Sequence, residues 1–218
     1  MKESFHRAIR FLAVLGLAMG LAMSGPAEPA PVLAQTKASA SEPEPVKALG
    51  VKGAPITMEV FSDFQCPACR DLFLQTLKPL IQNYVVTGKV YLIHRDMPLP
   101  MHKHARVAAR YANAAARVGK LEKVTEALYL SQDFWGSTGD VETILSRVLT
   151  PAEMTKVREA LKDGKIEAGI NKDVELAGRH QVRSTPTTII THRGKTTPVV
   201  GVVSYSILRQ YIEQLLRQ

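Results

Sequence analysis

The sequence predicts an α/β fold in which a mixed β-sheet is flanked by helices and interrupted by an all-helical insertion. Two observations carry this prediction. Short β-prone runs occur in the first and last parts of the chain, and the long stretch between them has only helical patterning. The composition agrees, because 218 residues with 45% hydrophobic and 22% charged residues are typical of a globular domain. A wholly disordered chain and a multi-span membrane protein are excluded.

The N-terminal residues have the layout of a secretory signal peptide, which we assign to residues 1–34. Basic residues come first, the uncharged apolar run Phe11–Met23 follows, and small residues then offer a cleavage site. This run is shorter than the about 20 apolar residues that a membrane-spanning helix needs, which favours a signal peptide; an uncleaved N-terminal anchor is the alternative. Residues 35–55 are rich in Ala, Ser, Glu, Pro and Lys and are predicted to form a flexible leader. We expect the rest of the chain to be exported to a compartment where disulfides persist.

The first half of the sheet is predicted from two short apolar runs. Ile56–Ser62 is β-prone and is predicted to be a strand, as is Val90–His94. Between them, apolar residues recur at helical spacing from Arg70 to Val86. Pro79 lies inside this pattern and should kink the helix, and Gly88 should end it. The order strand, helix, strand favours a parallel pair of strands.

The second half contains the insertion and a closing hairpin. Residues 101–178 have helical patterning throughout, broken only by glycine and proline. Two runs, Thr187–Thr191 and Pro198–Val203, then predict a pair of strands followed by a final amphipathic helix. The predicted domain organisation is therefore a sheet domain formed by residues 56–100 and 179–218 around the insertion.

The chain contains only two cysteines, Cys66 and Cys69, and they lie where the first predicted strand meets the first helix. Two cysteines exclude disulfide-rich scaffolds and four-cysteine zinc sites. The loop between them is too small for a disulfide to stabilise a fold much, so the pair is expected to act through its chemistry. A helix N-terminus favours the thiolate of Cys66, and Pro67 suits the first helical turn. Cys69, one turn along the helix, would resolve a mixed disulfide formed at Cys66.

The run from Glu59 to Cys69, EVFSDFQCPAC, resembles the active-site region of the DsbA-like thiol–disulfide oxidoreductases, which are exported members of the thioredoxin fold with a helical insertion. The run Ser184–Thr187 is similar to the second hallmark of that family, a loop with a cis-proline before a strand. The resemblance implies that Cys66 is the exposed nucleophile and Cys69 the resolving thiol.

The same resemblance implies the residues that meet the substrate. Pro186 would be the cis-proline that faces the disulfide, and Thr185 would offer backbone groups to an extended substrate chain. Pro67 and Ala68, between the cysteines, complete the predicted substrate-binding set. The Pro-Ala dipeptide departs from the Pro-His of strong oxidases, which leaves the redox strength open.

Glu59 is a further catalytic candidate because it interrupts an otherwise apolar strand seven positions before Cys66. A carboxylate held inside the sheet would have a raised pKa and could relay a proton to Cys69. The family often carries an acid in this region. A strand residue that faces solvent is the alternative.

Three histidines, His94, His102 and His104, cluster around a proline-rich segment. They are candidate metal ligands, although loop histidines of this kind more often have no such role. We predict no metal and no organic cofactor, because the dithiol is itself a redox centre.

The predicted function is therefore an exported thiol–disulfide oxidoreductase, soluble and periplasmic or otherwise extracytoplasmic, that acts as an oxidase on reduced exported proteins. A membrane-bound partner would reoxidise it, and the protein would be a monomer. The formal net charge is +8, but no dense basic run with interleaved aromatic residues indicates nucleic-acid binding. The alternatives are a thiol reductase or isomerase of the same fold, a copper-binding metallochaperone-like module, and a thiol-dependent holdase.

Overall fold

The computed structural model describes residues 47–218. The predicted signal peptide and residues 35–46 of the predicted leader lie outside the described residues. Five strands form one sheet in the order β1-β3-β2-β4-β5. The strands are β1 (Ala48–Leu49), β2 (Ile56–Ser62), β3 (Val90–Asp96), β4 (Thr187–His192) and β5 (Lys195–Val200).

Strand β2 lies at the centre of the sheet, parallel to β3 and antiparallel to β4. The outer pairs, β1 with β3 and β4 with β5, are also antiparallel. The mixed sheet predicted from the sequence is therefore confirmed. Alternation along β2 places Met58 and Val60 in the main hydrophobic core, while Phe61 belongs to a smaller core cluster with Ile189.

Helix α1 connects β2 to β3 and changes its winding along its length. It consists of an α-helical segment (Pro67–Leu72), a π-helical segment (Phe73–Leu77), a short α-helical segment (Lys78–Leu80) and a second π-helical segment (Ile81–Val85). Pro79 lies between the two π-helical segments. Because proline has no N–H to donate and crowds the preceding turn, local widening of the helix is a physical response to it. The helix therefore continues through Pro79.

The chain between β3 and β4 forms the predicted helical insertion. Its six helices are α2 (Ala105–Arg117), α3 (Leu121–Leu130), α4 (Gln132–Thr138), α5 (Val141–Val148), α6 (Pro151–Ala160) and α7 (Lys165–Arg179). Helix α7 packs against β3, and α3 packs against α1, so the insertion is packed against the sheet domain. The last helix, α8 (Tyr205–Leu216), packs on α1 and β2 and begins after its N-cap Ser204.

The structure differs from the sequence prediction in the closing hairpin. Strand β5 runs from Lys195 to Val200, so the predicted strand 198–203 begins and ends three residues late. The physical reason is the turn. Arg193 and Gly194 both have positive φ, 48° and 75°, which makes a two-residue turn whose twist lets pairing resume at once.

The last part of the predicted leader also differs from the expectation of a flexible tether. Ala48 and Leu49 pair with β3, and Lys47 is buried. The ammonium of Lys47 forms ion pairs with Asp96 on β3 and Asp173 on α7. These contacts hold the chain before β2 against both the sheet and the insertion.

Candidate active site

Cys66 occupies the N-cap of helix α1, and Pro67 is the first helical residue. The backbone carbonyl of Cys66 accepts the N–H groups of Cys69 and Arg70 at 3.1 and 3.2 Å. No acidic residue lies in the first turn, so the positive end of the helix dipole is not offset there. The sequence EVFSDFQCPAC thus ends a strand, turns, and starts a helix with a cysteine at the position that best stabilises a thiolate.

The two thiols have opposite acidities. The pKa of Cys66 is lowered to about 5, chiefly by a hydrogen bond from the Cys69 thiol. Burial raises the pKa of Cys66 and so opposes this shift. The side chain of Thr185 and the backbone N–H groups of Cys69 and Ala68 lower the pKa further. Burial raises the pKa of Cys69 far above its ordinary value, and its hydrogen bond to Cys66 adds to the effect. Both cysteines are free thiols in this structure. The pair can therefore present one thiolate and one protonated thiol at neutral pH.

The loop before β4 faces the nucleophile. The Thr185–Pro186 bond is cis, as the resemblance implied. The backbone carbonyl oxygen of Thr185 lies 3.5 Å from Cys66 Sγ and accepts its hydrogen when Cys66 is protonated. The loop is held at both ends, because the Thr187 hydroxyl donates to the Ser184 carbonyl and the Gly201 N–H donates to the Pro186 carbonyl. The predicted neighbours Cys66, Thr185 and Pro186 are thus brought together.

The residues between the cysteines lie at the surface. Pro67 is exposed and Ala68 is half-buried, whereas Cys66 and Cys69 are 8% and 1% exposed, so Cys66 is buried rather than exposed as the resemblance implied. The approach to Cys66 therefore passes over small, uncharged side chains. This arrangement suits the substrate-contact role that the sequence predicts for Pro67 and Ala68.

The insertion helps to shape the active-site turn. Gln132, which is buried on α4, donates through its side-chain amide to the carbonyls of Phe64 and Cys66 at 2.7 and 3.0 Å. In return, Gln65 donates to the Gly136 carbonyl at 3.0 Å and accepts the His104 N–H at 2.8 Å. The turn that carries Cys66 is therefore fixed by hydrogen bonds to the insertion.

An aromatic cluster lies beside the cysteines. Phe64 stacks on Tyr129 of α3 with ring centroids 5.3 Å apart, and Phe73 of α1 lies 5.3 Å from the same ring. Burial raises the pKa of Tyr129 well above its ordinary value, and the nearby Cys69 adds to this shift. Tyr129 is therefore a neutral phenol that contributes apolar surface and a hydrogen-bond donor.

Asp63 contacts Cys69 through its backbone, while its carboxylate bonds to other residues of the site. Its backbone N–H donates to Cys69 Sγ at 3.4 Å, and its carboxylate is wholly buried. The carboxylate accepts the Gln65 N–H at 2.7 Å, the Leu99 N–H at 2.7 Å, and a bond from His102 Nδ1 at 2.8 Å. Sequence reasoning missed Asp63, although it lies within the quoted motif, because a loop carboxylate before a helix is usually a turn or cap residue.

Glu59, the predicted proton relay, lies away from the two cysteines and pairs with Arg95. Its carboxylate accepts two bonds from Arg95, at 2.8 Å to Nε and 2.5 Å to Nη2. Alternation along β2 places Glu59 on the face opposite Met58 and Val60, which pack in the same core as the cysteines. Within the described residues it contacts neither cysteine. The relay role predicted for Glu59 stays a prediction, and this geometry does not favour it.

The three histidines separate into different environments. His94 stacks on Phe64 with ring centroids 5.0 Å apart and lies 3.3 Å from a carboxylate oxygen of Asp96, while His102 bonds to Asp63. His104 supplies a backbone N–H to the active-site turn. Among residues 47–218, no three His, Cys, Asp or Glu side chains are arranged to hold a metal ion.

A family model described as "Thioredoxin" matches residues 42–213. A Na⁺/H⁺ antiporter, NhaA 3 of Salinispora tropica, is 27% identical over 171 residues, which are 77% of this chain and 25% of the antiporter. The chain therefore spans about a quarter of that relative's length. A "probable disulfide bond formation protein D" of Bacillus cereus is 24% identical over 153 residues, covering 66% of this chain and 69% of that protein.

Solved structures show the same fold. The crystal structure of α-DsbA1 from Wolbachia pipientis superimposes with a TM-score of 0.66 and 23% identity, covering 78% of this chain and 89% of that chain. This match confirms the predicted fold class, a mixed sheet with a helical insertion, and together with the family model and the Bacillus cereus relative it confirms the resemblance to DsbA-like proteins. With its Cys-Pro-Ala-Cys motif at the N-terminus of α1 and a matching family model over most of its length, the chain belongs to the thioredoxin family.

Proposed function

We propose that this protein is a thiol–disulfide oxidoreductase that acts as an oxidase, passing a Cys66–Cys69 disulfide to cysteines of exported proteins. The observation that carries the proposal is the contrast between the two thiols. A pKa of about 5 makes Cys66 a good leaving group, and Cys69 is buried, so an external thiolate would reach Cys66 first. Stabilising the Cys66 thiolate stabilises the reduced form, so the oxidised form becomes a stronger oxidant.

The reaction consists of two exchanges. A substrate thiolate attacks Cys66 Sγ, a new disulfide forms between them, and the electron pair of the Cys66–Cys69 bond goes to Cys69 Sγ. A second substrate thiolate then attacks the first substrate sulfur, and Cys66 leaves as a thiolate. The substrate loses two electrons and gains a disulfide, while Cys69 takes up a proton from water and the protein ends reduced, with Cys69 as a thiol and Cys66 as a thiolate.

Three neighbours of Cys66 support the binding step of this proposal. The cis-proline loop places the Thr185 carbonyl 3.5 Å from Cys66 Sγ, where an extended substrate backbone would pair beside it. Pro67 and Ala68 leave the sulfur approachable. Substrates of different sequence would be accepted because most of these contacts involve backbone or small side chains.

Export and reoxidation belong to the same proposal. The predicted signal peptide directs the chain out of the cytoplasm, and a membrane-bound partner would take the two electrons from the dithiol. Within the described residues, no helix is both long and apolar enough to cross a membrane. The name of the Bacillus cereus relative, a probable disulfide bond formation protein, supports the disulfide-forming direction of the proposal.

The test is the refolding of a reduced secreted enzyme whose activity requires its disulfides. Oxidised wild-type protein should restore activity faster than buffer alone, and Cys66→Ser should restore it no faster than buffer. Equal rates with wild type and Cys66→Ser would end the catalytic proposal. Reduction of an insulin-like disulfide substrate by the dithiol form, run in parallel, measures the reductase alternative, which we expect to be the slower direction.

A further inference from the structure

The contacts of Asp63 and His102 extend the site beyond the two cysteines. Asp63 lies between β2 and Cys66, and its carboxylate has no exposed surface. His102, in the loop between β3 and α2, places Nδ1 2.8 Å from Asp63 Oδ2. Both carboxylate oxygens of Asp63 accept backbone N–H groups, so we assign Nδ1 of His102 as a further donor to Oδ2. The loop that supplies His102 also supplies the N–H of Leu99, which donates to the same oxygen at 2.7 Å.

The hydrogen bonds to the Asp63 carboxylate fix the direction of the backbone N–H of Asp63. The other carboxylate oxygen of Asp63 accepts the N–H of Gln65 at 2.7 Å, which closes a tight turn before Cys66. With its side chain held at both oxygens, Asp63 directs its own N–H to Cys69 Sγ at 3.4 Å. A contact made by the β3–α2 loop is thereby transmitted to the resolving sulfur.

We propose that Asp63 and His102 are positioning residues that set how readily Cys69 leaves when the disulfide is attacked, an inference that rests on the proposed function. When a thiolate attacks Cys66 Sγ, the Cys66–Cys69 bond breaks and its electron pair goes to Cys69 Sγ. The Asp63 N–H is directed at the sulfur that gains this negative charge, and His102 donates to the carboxylate that would otherwise repel it. Donors fixed before charge develops are the most effective, because they need no reorganisation during the reaction.

Reduction of the Cys66–Cys69 disulfide and alkylation of Cys66 should respond differently to a change at Cys69, whereas a loss of structure would slow both. Attack on the oxidised protein expels Cys69, so it depends on the Asp63 N–H. Alkylation of Cys66 in the reduced protein has Cys66 as nucleophile and expels nothing from the protein. A substitution that acts through Cys69 should slow the first step and leave the second unchanged.

The experiment compares His102→Ala, His102→Asn and His104→Ala. Asn carries its amide nitrogen at the same distance along the side chain as Nδ1 of histidine, so it preserves the donor to Asp63. His104 lies in the same segment, but within residues 47–218 its imidazole makes no hydrogen bond, which makes His104→Ala the matched control. Each oxidised variant is reduced by glutathione under pseudo-first-order conditions, and each reduced variant is alkylated with iodoacetamide.

For His102→Ala we expect the reduction rate to fall about tenfold, as loss of a hydrogen bond to a charged group allows, with the alkylation rate unchanged. His102→Asn and His104→Ala should stay within about twofold of wild type in both reactions.

An unchanged reduction rate in His102→Ala, or an equal fall in both reactions, overturns the inference. If His102→Ala does not fold, a loss of reduction rate in folded His102→Asn overturns it as well. A wild-type protein that does not react with glutathione would refute the proposed function, whereas a reactive wild type matched by His102→Ala refutes only this inference.

Discussion

Removal of the Cys69 thiol should raise the pKa of Cys66. The hydrogen bond from Cys69 is the largest cause of the low value, about 5, while Thr185 and two backbone N–H groups also lower it. Cys69→Ala removes the largest cause and keeps the others, so we expect a rise of at least about one unit, towards the ordinary thiol value. At pH 5 such a rise lowers the thiolate fraction from about one half to about one tenth, which makes Cys66 about fivefold less reactive.

The pH dependence of iodoacetamide alkylation measures this pKa, because only the thiolate reacts. The rate for reduced wild type should rise with pH through a midpoint near 5 and then level off. The midpoint for Cys69→Ala should lie at higher pH. Cys69→Ser, the matched control, keeps a hydroxyl donor and should lie between the two. A wild-type midpoint near the ordinary thiol value, or identical midpoints in all three proteins, would refute the reasoning.

Three further substitutions test the surrounding contacts. Glu59→Gln should leave the rate of reduction by glutathione within about twofold of wild type, because Glu59 contacts neither cysteine; a tenfold loss would restore the proton-relay role. Lys47→Met should lower the free energy of unfolding in urea by about 1–3 kcal/mol, because the buried Asp96 and Asp173 lose their ammonium partner while keeping other partners such as Asn113 and Arg95; stability equal to wild type would contradict this. Gln132→Leu should destabilise the protein by about 1–3 kcal/mol in the same assay, because the Phe64 carbonyl loses its donor and the Cys66 carbonyl keeps only the N–H groups of Cys69 and Arg70; stability equal to wild type would contradict this.

The features that the sequence predicts correctly depend on residues that are close together in the chain. The strand Ile56–Ser62 alternates and is apolar, the cysteines follow it directly, and Pro67 marks the start of a helix, so the strand–CPAC–helix unit needed no tertiary information. The cis bond at Pro186 is different in kind. Few X–Pro bonds are cis, so this feature followed only from the resemblance carried by Ser184–Thr187.

The features missed depend on contacts between residues far apart in the chain. Lys47 is buried because Asp96 and Asp173, 49 and 126 residues away, surround its ammonium, and a lysine in a polar segment gives no local sign of this. Gln132 reaches the active-site turn across 66 residues, and His102 reaches Asp63 across 39. Such long-range polar contacts decide how the site is held, whereas the periodicity of apolar residues reports only which faces are buried.

Equilibration of the Cys66–Cys69 pair with glutathione tests the central claim most directly, since it measures the reduction potential on which an oxidase role depends. The low pKa of Cys66 reflects a stabilised thiolate, which favours the reduced form of the pair. The predicted potential is therefore closer to that of DsbA, about −120 mV, than to that of thioredoxin, about −270 mV. A value near that of thioredoxin would contradict the oxidase assignment and favour a reductase.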